Sequence, residues 1–260
     1  MLDNCDLKIE KVIGDLNDIN FISEIMSGVD KVMHIYNIHH SPIIVREAIK
    51  NKVKRLILIH TTGIYSNFKD ASKRYKEIEN EINELNNKIE NNLEITILRP
   101  TMIYGDMCDS NMSKFIKMVD KLKIMPVIDG GKSLIQPVNA RDLGKAYYDV
   151  LTSPEVTSGK AYDLSGDRPI KIIKTLELIS NELNKKTRFI SIPLLLGVFL
   201  AKLVKIITFK KINYVEKVQR MSEDRSYSHV AASKDFDYNP MSFEKGISIE
   251  VSQYLKERDN

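Results

Sequence analysis

The polar residues best placed to do chemistry sit at the ends of apolar runs. Asp15 follows Gly14 after the run at 9–13. Its carboxylate can accept from an amine, or cap the helix that follows. Tyr36 and Asn37 follow the run 32–35, and Thr61 and Thr62 end the run that begins at Leu56. A strand-end hydroxyl can satisfy backbone groups or face a ligand. Tyr75 and Lys76 lie in Ser72-Lys-Arg-Tyr-Lys-Glu-Ile-Glu79, and Pro100 and Thr101 close the run 93–98. Arg141 and Asp142 begin a helix, where an Asp has a capping and dipole role. His34, His39 and His40 lack the spacing of a rigid metal site and have no evident carboxylate partners. Cys5 and Cys108 are too few for a disulfide framework and belong to no zinc-ligand cluster. No metal site is expected.

The elements that must hold these residues follow from apolar periodicity. Strands are predicted at 9–13, 31–36, 56–59 and 93–98. Helices are predicted from Asn17 or Asp18 to 26, from Ser41-Pro42 onward, and over 71–91. Helical crossovers between buried strands imply a parallel sheet with helices on both faces, an α/β fold. Beyond Pro100 the pattern becomes irregular. Helices are predicted at 111–123, 141–152, 170–184 and 194–208, with another near the C-terminus and short strands at 135–138 and 161–164. Residues 1–135 are read as one domain, and residues 136–260 as a smaller, mainly helical α+β lobe interleaved with it. The lobe sits at the carboxyl edge of the sheet, where open α/β sheets bind ligands.

Composition sets the class. The 260 residues are 43% hydrophobic and 28% charged, which suits a globular protein with a sizeable core. A net charge of +4 is too diffuse to argue for nucleic acid. No signal peptide is evident, and a reduced, cytoplasmic compartment is the default for so few cysteines. In the last third, Pro193-Leu-Leu-Leu-Gly-Val-Phe-Leu-Ala-Lys-Leu-Val-Lys-Ile-Ile207 falls short of the ~20 apolar residues that span a bilayer. It is read as a helix buried under the smaller lobe. The rival is an in-plane amphipathic helix on anionic lipid, flanked by Lys202, Lys205, Lys210 and Lys211.

Several segments occur in a telling order. They are Val12-Ile-Gly-Asp-Leu16, Gly28-Val-Asp-Lys-Val-Met-His34, Val53-Lys-Arg-Leu-Ile-Leu-Ile-His-Thr-Thr-Gly-Ile-Tyr65 and Thr96-Ile-Leu-Arg-Pro-Thr-Met-Ile-Tyr-Gly-Asp106. Gln136-Pro-Val-Asn-Ala-Arg-Asp-Leu-Gly144 and Gly159-Lys-Ala-Tyr-Asp-Leu-Ser-Gly166 follow. Together they resemble the atypical and extended short-chain dehydrogenase/reductases, the NAD-dependent epimerase/dehydratase and NmrA-like groups. The resemblance covers roughly residues 9–170 and implies an N-terminally truncated, NAD(P)-binding Rossmann-like α/β domain over 1–135 with a substrate lobe over 136–260. It implies NAD or NADP as cofactor and a small-molecule or sugar-nucleotide substrate. It also implies roles. Asp15 faces the adenine, Tyr36 and Asn37 line the cofactor, and Pro100 and Thr101 line the nicotinamide end. Thr61, or its neighbour Thr62, hydrogen-bonds the reacting oxygen.

The sequence departs from that family in two places. The family's catalytic tyrosine and lysine lie four apart on one helix face, so the ammonium lowers the phenol's pKa. Here Tyr75 is followed four residues later by Glu79, and Lys76 is preceded four residues earlier by Ser72. Lys76 best matches the ribose-holding lysine, and Tyr75 remains an acid/base without its partner. No Gly-x-x-Gly-x-x-Gly turn occurs in the 260 residues. The run at 9–13 matches the family's third strand, so the expectation is a chain lacking the first strand–helix–strand. It would be either a fragment or a shortened protein. Weak dinucleotide binding and an open sheet edge follow. Two functions stay open, namely an oxidoreductase or epimerase/dehydratase-like enzyme and a non-catalytic sensor or structural subunit.

Overall fold

Arg55-Leu-Ile-Leu-Ile59 is buried at every position, as a strand covered on both faces must be. The computed structural model describes residues 8–68, 70–88, 93–209, 211 and 213–259. In chain order the first half holds α1 (Ile19–Met26), β1 (Lys31–His34), α2 (Ser41–Lys50), β2 (Arg55–Ile59), α3 (Ser72–Lys88), β3 (Glu94–Pro100), β4 (Ile103–Tyr104), α4 (Met112–Lys121) and β5 (Ile124–Ile128). Then come β6 (Leu134–Ile135), β7 (Val138–Asn139), α5 (Ala140–Thr152), α6 (Pro154–Thr157), β8 (Ala161–Leu164), β9 (Ile170–Lys171) and α7 (Ile172–Glu182). The chain closes with β10 (Arg188–Ile192), α8 (Leu194–Ile207), α9 (Val215–Arg220), α10 (Val230–Phe236) and α11 (Phe243–Asp259).

The main sheet is parallel, in the order β1-β2-β3-β8. Alternation along β2 splits its side chains between two cores. Leu56 and Leu58 pack with Ile22, Val45, Ile78 and Ile82 from α1, α2 and α3. Ile57 and Ile59 pack with Leu143, Val150 and Phe236 from α5 and α10. Helices therefore cover both faces, as the sequence predicts. A third core joins α4, α7 and α11 to the parallel pair β5–β10.

Three expectations need correction. Residues 9–13 are not a strand, and Ile13 is 84% exposed. A strand needs a partner for its ladder, and no described strand pairs there. The open edge of β1 is not joined by this segment. The strand predicted at 135–138 is two pieces, β6 with β9 and β7 with β4. Pro137 lies between them and lacks the N–H that a continuous ladder would use. Finally, α8 is not buried. Only Gly197 and Ala201 lie inside it.

The β6–β7 corner is held by Gly166. Its carbonyl accepts from Gln136 Nε2 at 2.7 Å, and a Cβ there would overlap the Pro137 carbonyl oxygen. Backbone cannot yield as a side-chain tip can. Gly166→Ala should lose about 1–3 kcal/mol in urea unfolding.

Candidate functional site

The carboxyl ends of β2 and β3 feed one cavity of about 550 Å³. Thr61 caps the short turn Thr62–Tyr65 by accepting from the Gly63 N–H at 3.0 Å. Thr62 donates to the Pro100 carbonyl at 3.3 Å. Thr101 donates to the Gln136 carbonyl at 2.5 Å. All three threonines line the cavity, with Tyr104 and Asp109. The far wall comes from the other end of the chain and contains Arg220, Arg225 and Tyr227. That strap is clamped over the turn, because Ser66 Oγ and the Asn67 N–H both donate to Glu223 at 2.7 Å. Arg225 is tied in through its backbone, donating to the Leu134 carbonyl at 2.8 Å.

The two arginines give the cavity its character. Both Nε atoms are buried without a hydrogen-bond partner among the described residues. Arg225 forms no salt bridge there either. Burial, then the Arg220 charge, brings its guanidinium down to about 10. Arg225 lies half-buried at the cavity with the Glu223 carboxylate acting on its charge, and Arg220 has Glu216 at 4.0 Å, so positive charge gathers on this wall. Spacing in the sequence gives no hint of this pair.

The other predicted residues lie apart from this cavity's lining. Asp15 is exposed and turned inward on its own turn, its Oδ1 accepting from Asn17 N and Nδ2, both at 2.9 Å. Those bonds hold its carboxyl below the usual range. Tyr36 is exposed, its ring 5.7 Å from that of His40. Asn37 caps the turn Ile38–His40, accepting from the His39 N–H at 3.1 Å. On α3, Tyr75 is half-buried with its ring 5.7 Å from His39, whereas Lys76 is exposed. Burial pushes the Tyr75 phenol up rather than down.

Glu79 stands four residues after Tyr75 on α3. It lies on the inward face of α3 between Ile78 and Ile82 and closes a buried network. Arg99 Nε donates to its Oε1 at 2.9 Å, and Arg99 Nη2 to its Oε2 at 2.5 Å. His60 Nδ1 donates to Oε1 at 2.9 Å, and the Ser41 hydroxyl reaches His60 Nε2 at 3.1 Å. Burial would raise the Glu79 carboxyl. Arg99 and His60 outweigh it and pull it to about 2. His60 is lowered by burial, so it stays neutral and donates from Nδ1. The order Ser–His–Glu imitates a nucleophile triad. Ser41 is fully buried in the first turn of α2, so its hydroxyl can meet no substrate. The network is a clamp between α2, α3 and β3.

A dinucleotide fits only part of this arrangement. Thr61, Thr62 and Thr101 can meet the nicotinamide end. Asp15, Tyr36 and Asn37 lie outside the cavity's lining, and at Gly14 a Cβ would overlap the Phe21 ring. Among the described residues no group of three or more His, Cys, Asp or Glu is placed to hold a metal ion.

No family model matches the chain. One curated relative, subunit 9 of the NADH dehydrogenase [ubiquinone] 1 alpha subcomplex, mitochondrial, of Arabidopsis thaliana, is 27% identical over 100 residues. The match spans 38% of this chain and 25% of that relative's length. Among solved structures, UDP-glucose 4-epimerase of Thermotoga maritima with UDP-glucose is 14% identical, with a TM-score of 0.73 over 94% of this chain and 84% of its own. A double mutant of the dTDP-glucose 4,6-dehydratase DesIV of Streptomyces venezuelae, with NAD bound, is 15% identical. Its TM-score is 0.73 over 98% and 82% of the two chains. The chain has the Rossmann-type fold of these NAD-dependent epimerases and dehydratases.

Proposed function

We propose that the protein serves NAD(P)-linked oxidoreductase or epimerase/dehydratase-type chemistry and binds an anionic small molecule of the sugar-nucleotide class. The observation that carries this reading is Arg225, half-buried, with its Nε unpartnered and no salt bridge among the described residues, lining the cavity beside Arg220. A diphosphate would supply the missing charge. The three threonines would then face the sugar end, with Thr61 nearest in role to a donor for a reacting oxygen. UDP-glucose, found with the Thermotoga epimerase, is the natural probe.

A second reading, binding without catalysis, has its own support. Glu79 occupies the place where a lysine would tune Tyr75, and the Tyr75 phenol is raised by burial. A phenol so raised is a poor base at neutral pH. Titration calorimetry with UDP-glucose, uridine and NADH tests both. The first reading expects UDP-glucose to bind, uridine to bind far more weakly, and NADH to bind weakly. Turnover of UDP-glucose with added dinucleotide would support the enzyme, and binding without turnover would support the second reading. NADH bound tightly with UDP-glucose unbound would overturn the assignment of the cavity.

A further inference from the structure

We propose that α8 seats the protein in the plane of an anionic lipid surface. A helix apolar on all sides is ordinarily buried in protein or lipid, and α8 is neither inside the fold nor polar outside. Its 14 residues bury only Gly197 and Ala201. Gly197 is small because Ile128 and Val218 come close there, which sets that side of α8 against the body. At 100° per residue, Leu195, Phe199, Leu203 and Ile206 fall on the opposite side. Leu195 is 84% exposed, Ile207 73%, and Phe209, just beyond, 88%. This is a continuous apolar strip, not the scattered exposure common on soluble surfaces.

Charge selects the occupant. Between Glu182 and Glu216 the sequence has no acidic residue and seven basic ones, namely Lys185, Lys186, Arg188, Lys202, Lys205, Lys210 and Lys211. Lys202 is exposed at the border of the apolar arc, where its stem can lie along apolar groups and its ammonium can reach outward. A second copy pressed on the same face would bring like charges together. Anionic headgroups above an apolar layer answer both halves of the pattern. At 1.5 Å per residue α8 is ~21 Å long, short of the ~30 Å hydrocarbon core, so it lies in the surface. No helix among the described residues is long and apolar enough to cross a membrane.

Co-sedimentation of the full chain with vesicles is the test. Vesicles of phosphatidylcholine with phosphatidylserine should pellet the protein, and high salt should release much of it. Pure phosphatidylcholine should bind at least tenfold less, since each lysine near anionic headgroups contributes ~1 kcal/mol. A Leu195→Glu/Phe199→Glu variant should lose pelleting on both vesicles while keeping its circular dichroism spectrum. A Lys202→Glu/Lys205→Glu variant leaves the apolar face intact and should lose only the preference for phosphatidylserine. No pelleting of the unaltered chain on either vesicle would overturn the proposal. So would a dimer in sedimentation velocity that the apolar variant abolishes, with no vesicle binding.

Discussion

Glu79→Ala should lower unfolding stability by about 3–5 kcal/mol, the usual cost of removing one partner from a buried ion pair. Among the described residues Arg99 would keep Asp163, at 3.6 Å, and the Tyr65 hydroxyl, at 3.2 Å. His60 would lose the acceptor that fixes its tautomer. Three elements, α2, α3 and β3, would lose their shared polar tie. The pH signature has a definite sign. Glu79 is held at about 2, below the ordinary glutamate value of 4.5. Its stabilisation is complete above the unfolded value and disappears as pH falls through about 2. Urea midpoints between pH 6 and pH 2.5 should therefore converge for the parent and variant proteins. A loss at neutral pH below about 1 kcal/mol would show that Glu79 is not the clamp.

Glu250 should behave in the opposite sense. It lies on α11, 1% exposed, with neither carboxyl oxygen hydrogen-bonded by the geometry of the described residues. Burial first, then Asp109, pushes its carboxyl up to about 8 from 4.5. A raised acid contributes stability in full below its unfolded value. That contribution is lost as pH rises through about 8. The protein should weaken between pH 5 and pH 9, and Glu250→Gln should remove most of that decline. The gain at pH 9 should be on the order of 2–4 kcal/mol, since each tenfold change in proton affinity corresponds to ~1.4 kcal/mol. Thermal melts of both proteins at pH 5 and pH 9 measure it. Parallel decline in the two would place the titrating group elsewhere.

The sheet is legible in the sequence because 56–59 is an unbroken apolar run and β3 carries Ile95, Ile97 and Leu98, with both strands buried almost throughout. The helices α2 and α5 are legible from spacing and from Pro42 and Asn139 at their starts. The β5–β10 pair is not. Pro126 within Ile-Met-Pro-Val-Ile argues against a strand, yet β5 pairs only with β10, so one missing donor is tolerated. Residues 9–13 mislead in the other direction, since apolar content makes no strand without a neighbour. In the cavity, Thr61, Thr62 and Thr101 can be placed from chain order along the sheet. Arg220 and Arg225 cannot, because tertiary folding brings them from more than a hundred residues away. Glu79 stands out in the sequence only as the wrong residue beside Tyr75. Its partners Arg99 and His60 appear once α3 lies across the strand ends.

The proposed anion site centres on Arg225. The most direct measurement is the affinity for UDP-glucose of Arg225→Gln against the parent chain by calorimetry. The glutamine keeps polarity and some length but removes the charge. A charge-assisted hydrogen bond contributes ~1.5–3 kcal/mol, so affinity should fall about 10- to 100-fold. Arg225→Lys should recover part of it. Equal affinity in Arg225→Gln and the parent would contradict the account.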